Sequence, residues 1–135
     1  RFGDPETQVV LPRLKSDLFD IFNAVIDGEL DKVSIQWEDN AAVCVVLASG
    51  GYPKSYEKGY AINGIKDAEN AGAVVFHAGT ACKDGNFVTN GGRVLGVTAT
   101  GSDLDDAREK AYKYVDLISF KDMHFRKDIG IKKNQ

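Results

Sequence analysis

Phe87-Val88-Thr89-Asn90-Gly91-Gly92-Arg93-Val94-Leu95-Gly96-Val97-Thr98-Ala99 reads as a strand, a glycine turn and a second, Val-rich strand. β-Branched residues crowd both arms, and Asn-Gly-Gly between them supplies the backbone freedom a turn needs. Moving towards the N-terminus, Lys83-Asp84-Gly85-Asn86 is a hairpin turn joining 80–82 to 87–89. Residues 73–77 are strand-like and end at Ala78-Gly79-Thr80. Residues 66–70 make one or two helical turns closed by Gly72, and 60–62 make a short strand. A Val-rich run at 41–49, broken by Gly50-Gly51-Tyr52-Pro53, is expected as a central strand. Its expected hairpin partner is 33–37, where Val33, Ile35 and Trp37 alternate with polar residues before an Asp39-Asn40 turn. In the other direction, Ser102 is expected to cap a long helix with an apolar stripe of Leu104, Ala107, Ala111, Val115 and Ile118. Residues 120–129 read as a last extended segment and 132–135 as a frayed tail.

The opening third has a different period. Asp4-Pro5-Glu6 reads as a helix start, with Asp4 as cap and Pro at the first helical position. Ser16 reads as a second cap, and Leu18, Phe22, Val25 and Ile26 recur at helical spacing up to Gly28. Leu11 and Leu14 carry the same stripe backwards. The sum is an α+β plan: short N-terminal helices, then a small, mostly antiparallel sheet of five or six strands with one packed helix. Residues 1–32 and 33–135 are the expected division. The first part reads as an element that docks elsewhere, because a lone amphipathic hairpin buries little.

Composition narrows the class. The 135 residues suit one domain and are 43% hydrophobic and 27% charged, ordinary for a globular chain. Seventeen basic against twenty acidic residues leave a net charge of -3, so no basic field points to nucleic acid. The apolar runs fall well short of the ~18 residues that mark a membrane span. Cys44 and Cys82 have neither disulfide-framework nor zinc spacing, which suits a reducing compartment, the cytoplasm. The chain opens at Arg1 as if within a loop and is expected to be a piece of a longer polypeptide.

His77 and His124 lack metal-ligand spacing and read as ordinary hydrogen-bonding histidines, and Cys44 reads as a small core residue. A Cys82–His77 nucleophile pair, the basis of a hydrolase, has no third residue to orient it. The glycines say more. Gly50-Gly51, Gly79 and Gly91-Gly92 each flank a strand, and Thr80 and Arg93 follow two of these loops. Glycine lets backbone amides approach a ligand, and a guanidinium beside such amides is a common answer to a phosphate. The residues alone therefore point to an anion-binding α+β domain, and a self-sufficient module for a phosphorylated metabolite is one form of it.

Seven blocks in order carry a resemblance: Arg1-Phe2-Gly3-Asp4-Pro5-Glu6-Thr7-Gln8, Leu14-Lys15-Ser16-Asp17-Leu18, Gly51-Tyr52-Pro53, Tyr56-Glu57-Lys58-Gly59, Val75-Phe76-His77-Ala78-Gly79-Thr80, the run 88–99, and Arg126-Lys127-Asp128-Ile129-Gly130. Together they cover nearly the whole chain, which resembles the C-terminal part of the phosphoribosylamine–glycine ligase (glycinamide ribonucleotide synthetase) family. The resemblance implies an ATP-grasp enzyme of purine synthesis that joins 5-phosphoribosylamine and glycine through glycyl phosphate. It implies ATP and Mg²⁺ (or Mn²⁺) in the full-length enzyme, held by residues upstream of Arg1, so that no ATP or metal ligand is expected here and the chain alone is expected to be inactive. The implied partners are the two small substrates and the remaining N-terminal domains, with no nucleic acid and no membrane.

The same resemblance assigns residues 1–32 to the tail of the ATP-grasp domain and 33–135 to the small C-terminal domain. It places Arg1 at the glycine carboxylate or acyl phosphate, as the catalytic residue of this stretch. Gly92 and Arg93 are implied at the phosphate of phosphoribosylamine, with His77, Gly79 and Thr80 in the adjacent loop. Lys58 and Arg126 are the remaining candidates.

Overall fold

The computed structural model describes residues 3–131. A short helix, α1 (Thr7–Val10), runs into a 3-10 turn at Leu11–Arg13 and is followed by α2 (Leu18–Asp27). Then come β1 (Ala41–Ala48), α3 (Ile65–Asn70), β2 (Val74–His77), β3 (Thr80–Lys83), β4 (Asn86–Thr89), β5 (Arg93–Gly101) and α4 (Leu104–Val115). One sheet has the order β1-β5-β2 and is antiparallel throughout; β3 and β4 form a separate hairpin. The result is the expected mixture of short helices and antiparallel sheet. The hairpin turn has Asp84 at φ 50° and Gly85 at φ 78°, the left-handed pair that lets two residues reverse a twisted ribbon.

Register explains the core. Val45 faces Val97 across β1 and β5, and Val75 faces Val97 from β2, so three valines line up across the sheet. On that face Val43, Val45, Leu47, Leu95, Val97 and Ala99 are buried together with Ala107, Ala111 and Val115 of α4. Gly101 lets α4 approach this end of β5, because a Cβ there would run into the Ala107 backbone. The opposite face carries Cys44, Gly96 and Thr98, and α1 lies over it, with Thr98 Oγ1 donating to the Gln8 carbonyl at 3.1 Å.

Several expectations need correction. Residues 33–37 are not a strand partner of β1, which takes the longer apolar strand β5 instead. Trp37 bridges Leu14, and Glu38 N donates to the Arg13 carbonyl at 2.7 Å, so this short, half-polar segment ties to the chain before it. Residues 60–62 make only an isolated bridge, Ala61 to Val88. Residues 120–129 turn at Asp122 and form no strand, making only an isolated bridge from His124 to Ala48.

The caps lie one residue later than expected. Asp103, with extended backbone, accepts from Asp106 N at 2.9 Å, while Asp106 reaches back to Ser102 N at 2.9 Å. Asp17 caps α2 by accepting from Phe19 N at 2.8 Å, and Ser16 Oγ instead accepts from Gln36 N at 2.7 Å. Asp4 caps nothing: α1 begins at Thr7, and the Asp4 carboxylate turns to Gln8 and Arg93. The expected frayed tail at 132–135 lies outside the described residues.

Candidate functional site

The three glycine loops converge beside the first residues of β5. Ser49 holds the turn between β4 and β5 by two bonds, its Oγ donating to the Gly91 carbonyl and its N to the Gly92 carbonyl, both at 2.8 Å. Gly79 N donates to the Arg93 carbonyl at 2.9 Å, and Asn90 N to the Gly79 carbonyl at 2.7 Å. Gly79 and Gly91 then lie backbone on backbone; a Cβ on Gly79 would stand 2.5 Å from the Gly91 Cα. The Tyr52 ring closes over Gly92, where any side chain would overlap it. Among the described residues neither the Gly91 nor the Gly92 amide has an acceptor. An amide without an acceptor is a donor in waiting.

Arg93 stands at the rim of this junction, exposed, with Nη1 3.2 Å from Asp4 Oδ2. In the neighbouring loop His77 Nδ1 and Thr80 Oγ1 are 2.9 Å apart, and the imidazole packs on Phe87 with ring centres 4.4 Å apart. The hydrogen bond of His77 thus goes to Thr80, and Cys82 lies exposed on β3. Lys58 is exposed and precedes Gly59, whose N donates to the Thr89 carbonyl at 2.6 Å.

Arg126 is engaged elsewhere. Its Nε and Nη2 grip Asp128 at 2.9 and 2.7 Å, a pairing that pushes the guanidinium pKa up from its ordinary value. Arg126 lines a cleft of about 450 Å³ with Pro5, Glu6, Val9 and Cys44. Arg93 borders a much smaller cleft beside it, and the two share Pro5, Cys44 and Val46 as a wall. The structure therefore brings Gly92, Arg93, His77, Gly79 and Thr80 to one end of β5 and sets Arg126 across that wall. Arg1 lies outside the described residues.

Sequence reasoning missed Ser49, Tyr52, Asp4 and Gln8. Ser49 and Tyr52 flank Gly50-Gly51 and could have been read as its supports. Nothing local marks Asp4, whose partner lies 89 positions away.

The family described as "Phosphoribosylglycinamide synthetase, C domain" matches residues 42–132, the stretch that holds the sheet, the glycine junction and Arg93. The chain belongs to this family. It is 50% identical over 130 residues to a phosphoribosylamine–glycine ligase of Caldanaerobacter subterraneus, covering 96% of this chain and 31% of the relative. It is 56% identical over 133 residues to the trifunctional purine biosynthetic protein adenosine-3 of Gallus gallus, covering 98% of this chain and 13% of that protein. The crystal structure of a phosphoribosylamine–glycine ligase from Thermotoga maritima superposes with a TM-score of 0.74 at 38% identity, over 93% of this chain and 30% of that one. The chain thus spans about a third of the length of that single-function relative.

Among the described residues, no group of three or more His, Cys, Asp and Glu side chains could hold a metal ion. No described helix is long and apolar enough to cross a membrane.

Proposed function

We propose that this chain is the C-terminal part of a ligase that joins 5-phosphoribosylamine and glycine at the expense of ATP, giving glycinamide ribonucleotide, ADP and phosphate in purine biosynthesis. The observation that carries the proposal is the near end-to-end similarity, at about half identity, to proteins named for that reaction. A carboxylate is unreactive towards an amine, so glycine is first converted to glycyl phosphate. The ribosylamine nitrogen then attacks its carbonyl carbon and phosphate leaves. ATP and its Mg²⁺ or Mn²⁺ belong to the preceding part of the protein, in the cytoplasm.

Residues 1–32 are the end of the ATP-grasp domain in this reading and 33–135 the small domain beside it. Phe19, Phe22, Val25 and Ile26 of α2 are exposed, as expected of an element whose partner is the preceding domain. The same stripe speaks against a free-standing module. Arg93 and the amides of Gly91 and Gly92, which have no acceptor among the described residues, take the ribose phosphate, with His77, Gly79 and Thr80 shaping the neighbouring loop. Lys58 adds positive charge at the approach, Arg126, paired with Asp128 across the wall, is the remaining candidate, and Arg1 meets the glycine carboxylate or acyl phosphate.

An ATP- and glycine-dependent phosphate-release assay tests this. The chain alone is expected to be silent, and the same chain preceded by the upstream two thirds of its parent is expected to release phosphate and form glycinamide ribonucleotide. Turnover by the chain alone, or an inactive complete protein, would overturn it.

A further inference from the structure

We propose that Asp4 is a positioning residue for Arg93, and that Gln8 in turn holds Asp4; this rests on the reading of Arg93 as the phosphate ligand. The geometry of the guanidinium makes the case. Its only partners among the described residues are the carboxylate and the carbonyl of Asp4, and both are met by Nη1, at 3.2 and 3.4 Å. The Nε–Nη2 edge, which can grip two oxygens of one phosphate, is left open. A carboxylate that sat on that edge would compete with phosphate. One that takes Nη1 fixes the plane of the guanidinium and leaves its working edge free. Arg126 offers the contrast, since its Nε–Nη2 edge is closed by Asp128.

Gln8 holds the other oxygen of Asp4, its Nε2 donating to Oδ1 at 3.0 Å. Gln8 is itself fixed to the sheet, because its carbonyl accepts from Thr98 Oγ1 at 3.1 Å. Its Oε1 is buried and has no donor among the described residues, which an amide turned to serve itself would not choose. The amide is oriented by Asp4, and its oxygen is left over. A chain of contacts therefore runs from β5 at Thr98, through Gln8 and Asp4, and back to β5 at Arg93. The loop is closed on one strand, so the guanidinium is referenced to the same element that carries its Cα.

The test uses the complete parent protein, with steady-state kinetics for all three substrates. Asp4→Ala is expected to raise the KM for phosphoribosylamine about five- to thirtyfold, leaving kcat and the KM values for glycine and ATP within about twofold. Asp4→Asn, which keeps an acceptor oxygen but loses the charge, is expected to fall between Asp4→Ala and the parent, and it serves if Asp4→Ala fails to fold. The double variant Asp4→Ala/Arg93→Ala is expected to be no worse than Arg93→Ala, because a positioning residue has nothing to do once its guanidinium is gone. Fully additive losses, or equal losses for all three substrates, would overturn the clasp. So would a KM for phosphoribosylamine unmoved by Asp4→Ala or by Asp4→Asn while Arg93→Ala raises it. An Arg93→Ala enzyme with an unchanged KM would instead sink the phosphate assignment itself.

Discussion

Arg93 is expected to act by charge-assisted hydrogen bonds at the rim of the glycine junction. In the complete protein, Arg93→Ala should raise the KM for phosphoribosylamine about ten- to a hundredfold, the range such bonds carry, as initial-rate kinetics would register. The two thiols give a second expectation at this scale. Burial pushes the Cys44 pKa up; a hydrogen bond with Thr98 opposes this and the Asp4 charge adds to it. Cys44 is therefore a protonated, half-covered thiol at neutral pH, whereas Cys82 lies exposed. Limiting iodoacetamide at pH 7 is expected to label Cys82 well before Cys44, and peptide mass mapping would reveal the order. Equal labelling would mean that α1 does not stay over Cys44.

α4 carries its own pH sensitivity. Hydrogen bonds from Lys110 and then Ser102 hold the Asp106 carboxyl below its ordinary value. The folded pKa is the lower one, so the stability it contributes is whole above the ordinary aspartate value of ~3.9 and is lost as acid takes the pH through the folded value. Asp106→Asn is expected to lower the melting midpoint at neutral pH, with the difference from the parent closing in acid as the pH falls through the folded value. Calorimetry at neutral and acid pH would check it. The elements that were legible in the sequence share a physical signature. β3, β4 and their Asp84-Gly85 turn, β5 and α4 each carry a local period or a glycine at the needed position. Residues 33–37 misled because alternation over five residues reports only a half-buried surface; what pairs with it was set by Leu14 and Arg13, outside the window. The caps slipped by one residue for a related reason: Ser16 beside Asp17 and Ser102 beside Asp103 offer two competent oxygens each, and backbone direction chooses between them.

The whole molecule has two unlike halves: a sheet packed on both faces, and a helix, α2, with no buried residue. Phe19 and Ile26 are 70% and 80% exposed, which is costly in water for side chains that size. The chain by itself is expected to self-associate, and Phe19→Glu with Ile26→Glu is expected to restore a monomer while moving the melting midpoint by less than about 3 °C. Analytical ultracentrifugation beside thermal melts would decide it. At this scale the site was only partly legible. Gly79 beside Thr80 and the Gly91-Gly92 pair beside Arg93 marked the candidate corner, but Asp4 and Arg93 meet only because α1 is laid across the sheet.

β5 has a strand on each edge, a helix over each face and nearly all of its residues buried. Neither edge strand can peel away and leave it intact, so its amides should open only with the entire domain. In deuterium labelling, residues 94–98 would be the last to take up the isotope. Arg93 is the first residue of that strand and the only exposed one before Thr100. The side chain that reaches outwards is thus rooted in the slowest-exchanging backbone of the molecule, a stiff stem beneath a solvated tip.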